Sequence, residues 1–231
     1  MTKKKLQRFE ENLTFGNLFQ LSYFEVVNGF SMQGRWNDEY FRNTNPIVLE
    51  LGCGKGEYTT RLAEIFPENN YIGIDIKGAR LWKGCKTAVE QKMKNVAFIR
   101  TKIEHIEYLF SPDEVSSVWV TFPDPQPRGS RAHKRLVSPE FLARYRKILK
   151  DGAVVHLKTD NSPFYNYALE VAKYFDFQII ASSPDLYSQE LKEEHYGIKT
   201  FYEEIFTKQG FPICYLKFLF SHKKFDEKSK R

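Results

Sequence analysis

Ile47-Val48-Leu49-Glu50-Leu51-Gly52-Cys53-Gly54-Lys55-Gly56-Glu57 is the stretch on which the reading of this chain turns. Its first five residues are a short apolar run that suits a strand buried on both faces. Three glycines at alternate positions follow, and a helical pattern opens from Tyr58 to Phe66, stopped near Pro67. Glycines let the backbone turn sharply and approach a ligand closely, although ordinary tight turns use them too.

Outward from this loop the same alternation repeats. Strand-like runs are expected at Tyr71–Ile76, Val96–Arg100, Ser117–Phe122, Ala153–Thr159, Phe177–Ala181 and Ile213–Phe220. Helical spacing fills Gly78–Lys94, the stretch from Ser138 to about Lys150 (Ser138 as N-cap, Pro139 in the first turn), and Tyr165–Phe175. Strands alternating with helices predict an α/β, Rossmann-like fold: a mostly parallel seven-stranded sheet with helices on both faces. Residues 46–220 form that domain. Residues 1–45 show no clear strand, only short helical pieces at Leu6–Asn12 and Asn37–Asn43, and read as an N-terminal arm. Residues 221–231 read as a charged, frayed C-terminal tail.

Composition narrows the class. A hydrophobic fraction of 42% and an aromatic fraction of 16% are globular values. The three cysteines, Cys53, Cys85 and Cys214, give neither a disulfide framework nor a ligand spacing, so no metal is expected and the thiols read as reduced in a cytoplasmic protein. No apolar run approaches the length of a membrane span, and the N-terminus is polar. The net charge of +6 is informative where it gathers, at Lys3, Lys4, Lys5 and Arg8 and again from Arg128 to Arg135.

Ligands of open α/β sheets bind beyond the carboxyl ends of the strands. Three unusual segments lie there: Glu50–Gly56, Asp75 and Pro123–Arg135. The glycine spacing is G-x-G-x-G, and Glu57 stands where a dinucleotide loop has its last glycine. Carboxylates at Glu50 and Glu57 would repel a pyrophosphate, which disfavours a nicotinamide cofactor. They suit S-adenosylmethionine, which has an ammonium and a sulfonium and no phosphate. Gly52, Gly54 and Gly56 would carry the loop past it, and Asp75, 25 residues after Glu50, is positioned to accept from ribose hydroxyls.

After the fourth strand comes Phe122-Pro123-Asp124-Pro125-Gln126-Pro127-Arg128-Gly129-Ser130-Arg131-Ala132-His133-Lys134-Arg135. Three prolines in five residues stiffen this loop and hold Asp124 at the sheet's carboxyl edge, where the methyl group would sit. The cations Arg128, Arg131, Lys134 and Arg135 follow with no acid before Glu140, as a polyanionic substrate requires.

At these segments the chain resembles the tRNA (guanine-N7)-methyltransferases. Glu50 to Gly56 matches that family's glycine loop, Phe122 to Arg135 its F-P-D-P-x-P segment and H-K-R, Lys158-Thr159-Asp160 its strand ending in T-D, and Thr200-Phe201-Tyr202-Glu203 its T-x-[FY]-E. The resemblance spans roughly Pro46 to Phe220 and implies a class I methyltransferase fold with S-adenosylmethionine as cofactor and tRNA as partner. It implies methylation of guanosine N7, usually at position 46 of the variable loop; the chain itself is expected to be a monomer or homodimer, with no partner subunit evident in the sequence. Glu50, Asp75 and Asp124 would line the cofactor and catalytic pocket. Arg128, Asp160 and Thr200 to Glu203 would face the guanosine. Three positions depart from the pattern. Asp75 replaces a frequent Glu and Gln126 a usual Trp. Lys102, in Thr101-Lys102-Ile103-Glu104, stands opposite an Asp, so the adenine contact falls to Glu104 or the backbone near Ile103. Rival readings are a small-molecule methyltransferase, which leaves the basic loop unexplained, and a non-catalytic RNA-binding module, which leaves the acids unexplained.

Overall fold

A computed structural model describes residues 3–188, 191, 194 and 196–229. Its strands are β1 (Leu18–Gln20), β2 (Ile47–Leu51), β3 (Asn70–Asp75), β4 (Val96–Arg100), β5 (Val115–Thr121), β6 (Leu149–Thr159), β7 (Gln178–Ser183) and β8 (Cys214–Phe220). They form one sheet in the order β1-β4-β3-β2-β5-β6-β8-β7. All neighbours are parallel except β8, which runs antiparallel to β6 and β7. The α/β class and the mostly parallel sheet agree with the sequence reading, but the sheet has eight strands rather than seven. The extra one, β1, pairs Leu18 with Phe98 along the outer edge of β4.

Helices α1 (Lys3–Glu11), α2 (Tyr23–Val27), α3 (Glu57–Ile65), α4 (Gly78–Glu90), α5 (Pro139–Tyr145), α6 (Ser162–Tyr174), α7 (Phe201–Lys208) and α8 (His222–Ser229) complete the chain. Every residue of β2 and β3 is buried, so continuous apolar runs were the right signal for these central strands. The core lies in two layers. One gathers Trp36, Leu49, Val118, Phe141 and Leu216, and the other Tyr58, Leu62, Leu81, Phe98 and Trp119.

Of residues 1–45, expected as an arm, the described ones (3–45) are built into the fold. Beside β1 in the sheet, α1 docks on α4 through Asn12 Nδ2 donating to Gly78 O at 2.9 Å and Trp82 Nε1 donating to Glu11 Oε2 at 2.6 Å. Trp36 is fully buried in a wide helical turn, Trp36–Phe41, and donates to Leu109 O at 3.1 Å. The tail from Ser221, expected to fray, is helical over His222–Ser229 because Phe225 is buried against Phe175 and Phe220.

One ring sets the spacing between the glycine loop and its surroundings. A Cβ at Gly56, Gly73 or Gly84 would come within 2.5, 2.8 or 2.6 Å of the Phe98 side chain. Phe98, on β4, thus fills a cradle that exists only because the loop, β3 and α4 each present bare backbone to it. Gly84→Ala should therefore cost about 1–3 kcal/mol in urea unfolding, since its methyl also meets Lys55 O at 2.8 Å. Adding Phe98→Leu should recover part of that loss. A Gly84→Ala protein as stable as the parent would contradict this packing.

Candidate active site

The loop between β2 and α3 turns through positive φ at Gly52 (78°), Gly54 (56°) and Gly56 (68°). Gly52 and Cys53 both donate to Ile74 O, at 2.8 and 3.1 Å, which ties the loop to β3. A Cβ at Gly52 or Gly54 would meet nothing closer than 3.9 Å. These two glycines are needed for their conformation, and the space above them is open. Gly56 differs: it is the packing glycine beneath Phe98.

The acids divide by environment. Glu50 is buried, with Oε2 accepting from Thr59 N at 2.8 Å and from the Thr59 hydroxyl, and Oε1 accepting from the Thr121 hydroxyl at 2.7 Å. Burial pushes its pKa up to about 7, although all three hydrogen bonds pull the other way. Asp75 accepts from Gly54 N at 2.9 Å and from Lys77 N at 2.7 Å, so it braces the loop from β3 and shapes the turn into α4. Asp124 is exposed, and its Oδ1 takes Gln126 N at 3.0 Å.

The loop holding Asp124 is bent sharply. Phe122 and Gln126 have φ of 47° and 45°. Left-handed backbone at non-glycine residues costs on the order of 1–3 kcal/mol each and gathers at functional sites. Arg135, expected at the substrate, closes the base of this loop instead. Its Nε donates to Pro125 O at 3.2 Å, its guanidinium also reaches Gln126 O at 3.2 Å, and it stacks 4.2 Å over the Tyr167 ring. Arg128, Arg131 and Lys134 are exposed and make no ion pair with another described residue.

Helix α7 forms the next wall. Thr200 caps it in a reciprocal box with Glu203, and Phe201 and Tyr202 are exposed. Glu203, expected to face guanosine, is fully buried. It accepts from the Tyr187 hydroxyl and sits 2.7 Å from Lys158 Nζ, which is equally buried and lies over the Tyr58 ring. Burial lowers the Lys158 pKa and the carboxylate opposes that shift. The pair anchors α7 to the end of β6. Asp160 is half-buried, and the cap of α6 is its neighbour Asn161, which accepts from Phe164 N at 2.8 Å.

These pieces enclose a cleft of about 530 Å³ whose wall includes Gly52, Asp75, Ile103, Glu104, Asp124 and Lys134. A niche of about 80 Å³ adjoins it, bounded by Glu50, Gly54, Glu57, Thr200 and Tyr202. Arg80, which the sequence reading missed, lines both. The larger volume suits a nucleoside. Acids and cations are mixed around both spaces, Asp75, Glu104 and Asp124 with Lys77, Arg80, Lys102 and Lys134 in the cleft and Glu50 and Glu57 with Lys55 and Arg80 in the niche. This lining fits S-adenosylmethionine, whose amino-acid end carries both an ammonium and a carboxylate. Among the described residues no group of His, Cys, Asp and Glu side chains is gathered to hold a metal. No helix among them is long and apolar enough to cross a membrane.

Comparison with known proteins bears on the family and the fold. A family model described as "Putative methyltransferase" matches residues 44–216. A tRNA (guanine-N(7)-)-methyltransferase of Cytophaga hutchinsonii is 49% identical over 222 residues, covering 95% of this chain and 99% of that protein. One of Christiangramia forsetii is 48% identical over 219 residues, covering 94% and 98%. Among solved structures, the 16S rRNA methyltransferase KamB superposes with a TM-score of 0.59 at 16% identity, over 80% of this chain and 92% of that one. At that identity the likeness speaks for the fold.

Glu50 gives a pH prediction. A carboxyl raised from 4.5 to about 7 binds its proton more tightly in the folded state. Its contribution is therefore fully present at low pH and is lost as pH rises through that window. The melting temperature of the parent should fall relative to Glu50→Gln between those two values. A difference that stays flat with pH would show that Glu50 is ionised throughout.

Proposed function

The chain belongs to the tRNA (guanine-N7)-methyltransferase family, and we propose that it transfers a methyl group from S-adenosylmethionine to N7 of the guanosine at position 46, in the variable loop of tRNA. The observation that carries this reading is the junction, at the carboxyl edge of one sheet, of a cleft walled by the glycine loop, Asp75 and Asp124 with a loop whose cations Arg128, Arg131 and Lys134 are exposed. A small-molecule enzyme has no use for the second part and an RNA-binding module none for the first.

S-adenosylmethionine, when bound, supplies an electrophilic methyl group on a sulfonium. Asp75 would take the ribose hydroxyls, since each of its oxygens has a second acceptor site beyond the backbone donor it already holds. Ile103 and Glu104 would meet the adenine edge. Glu50 acts from beneath, fixing the loop through Thr59 and Thr121. Guanine N7 has a lone pair and no proton, so no side chain must act as a general base, and the protein's contribution is positioning. Asp124 is the residue for that task. Its Oδ1 is held by Gln126, which leaves the other oxygen to accept from guanine N–H and to offset the positive charge that develops on the purine. Arg128, Arg131 and Lys134 would hold phosphates, and Phe201 and Tyr202 offer exposed rings for stacking near Thr200 and Asp160. Glu203 serves through its anchor of α7. Residues 46–220 form the catalytic domain, working in the cytoplasm as monomer or homodimer.

The test is transfer of a tritiated methyl group from S-adenosylmethionine to an unmodified tRNA transcript, beside a transcript with adenosine at position 46. Label at guanine N7 in the first and none in the second is expected; equal labelling of both would refute the position. Asp124→Ala should lower kcat by about 100-fold or more, on the scale of lost positioning, with the fold intact by circular dichroism. Full turnover would remove Asp124 from the chemistry.

A further inference from the structure

We propose that Arg80 holds the carboxylate at the amino-acid end of S-adenosylmethionine, an inference that rests on the methyltransferase reading above. The cleft and the niche share three wall residues, Gly52, Phe122 and Arg80. A ligand with its nucleoside in the cleft therefore sends its remaining end past the glycine loop into the niche. At about 80 Å³ against about 530 Å³ for the cleft, that niche is the smaller of the two spaces and suits the short amino-acid end.

Charge then decides which residue meets which group. Glu50 and Glu57 are the carboxylates of the niche. Glu50 is tied to Thr59 and Thr121, and Glu57 accepts from Phe201 N at 3.0 Å. Glu57, and Glu50 when ionised, favour the ammonium and repel the carboxylate, which needs a cation. Two cations line the niche, Lys55 and Arg80. Lys55 Nζ is already engaged, 3.7 Å over the Phe201 ring. The Arg80 guanidinium has no ion-pair or side-chain hydrogen-bond partner among the described residues. Its backbone, by contrast, is fixed: Asp75 accepts from Lys77 N at 2.7 Å and Lys77 O accepts from Arg80 N at 2.8 Å. The acid that faces the ribose thus also aims the first turn of α4, and with it Arg80, toward the mouth of the niche. A guanidinium fork matches a carboxylate bidentately.

Calorimetry on the full chain, with S-adenosylhomocysteine and with the carboxylate-free ligand 5′-methylthioadenosine, tests this assignment. Arg80→Ala should weaken S-adenosylhomocysteine by about 10- to 100-fold, the worth of a charge-assisted contact, and leave 5′-methylthioadenosine unchanged. Arg80→Lys should recover part of the loss. An equal loss for both ligands would overturn the proposal, since Arg80 would then act on the nucleoside or the loop. Unchanged cofactor affinity with a raised KM for tRNA would overturn it in favour of a phosphate contact. If the parent protein binds neither ligand, the methyltransferase reading fails and takes this inference with it.

Discussion

The contact between the Phe98 ring and three glycines, Gly56, Gly73 and Gly84, is the constraint on which the site depends. It lets β4, β3, the loop after β2 and α4 approach one another more closely than any side chain would permit. Only at that spacing can Gly52 and Cys53 donate to Ile74 O and Gly54 donate to Asp75. The loop is therefore held from below by packing and from the side by three backbone donors, while the face above Gly52 and Gly54 stays open. Close packing of this kind transmits strain and tolerates little change in volume, which is why a steric feature of the core governs a surface cleft.

On that frame, residues of one chemical type are given different work by burial alone. Glu50, Asp75 and Asp124 all stand at or just past the carboxyl ends of strands on one edge of the sheet. Glu50 is sealed under the loop by two threonines, Asp75 is divided between two backbone amides, and Asp124 is open to solvent with one oxygen held. The acid farthest from water braces the scaffold, and the most exposed one keeps an oxygen open to solvent. Among the cations of the basic loop the division runs the same way: Arg135 is spent on Pro125, Gln126 and Tyr167 so that Arg128 and Arg131 can stand free.

How much of this was legible follows from the range of each signal. Central strands such as Ile47–Leu51 are buried on both faces, so their apolar runs announce them. The three residues of β1 are too few for periodicity, and what makes them a strand is the free edge of β4, far along the chain. Trp36 looked like part of an arm because nothing local says that Leu109 waits for its N–H. Strand-end acids and the proline-stiffened loop were readable because chemistry and position coincide in sequence. Glu203 was misplaced for the opposite reason: its spacing from Thr200 marks a helix cap, but its ion pair with Lys158 joins segments that only the fold brings together. Arg80 carries no local mark at all; in a helix's first turn it resembles any solvated cation.

The Lys158–Glu203 pair shows how a helix is kept in place without a large apolar interface. Burying both charges is costly, and such pairs rarely add net stability over apolar residues of the same volume. What they impose is position: with either partner displaced, the other is left as an uncompensated charge in the core. Helix α7 has only Glu203 fully inside, and its Phe201 and Tyr202 face out. An apolar contact at that single point would let the helix slide. An ion pair braced by Tyr187, with Tyr58 beneath the lysine, does not, and Glu57 meeting Phe201 N fixes the same helix from the glycine loop. The wall of the niche is thereby locked to both the end of β6 and the start of α3.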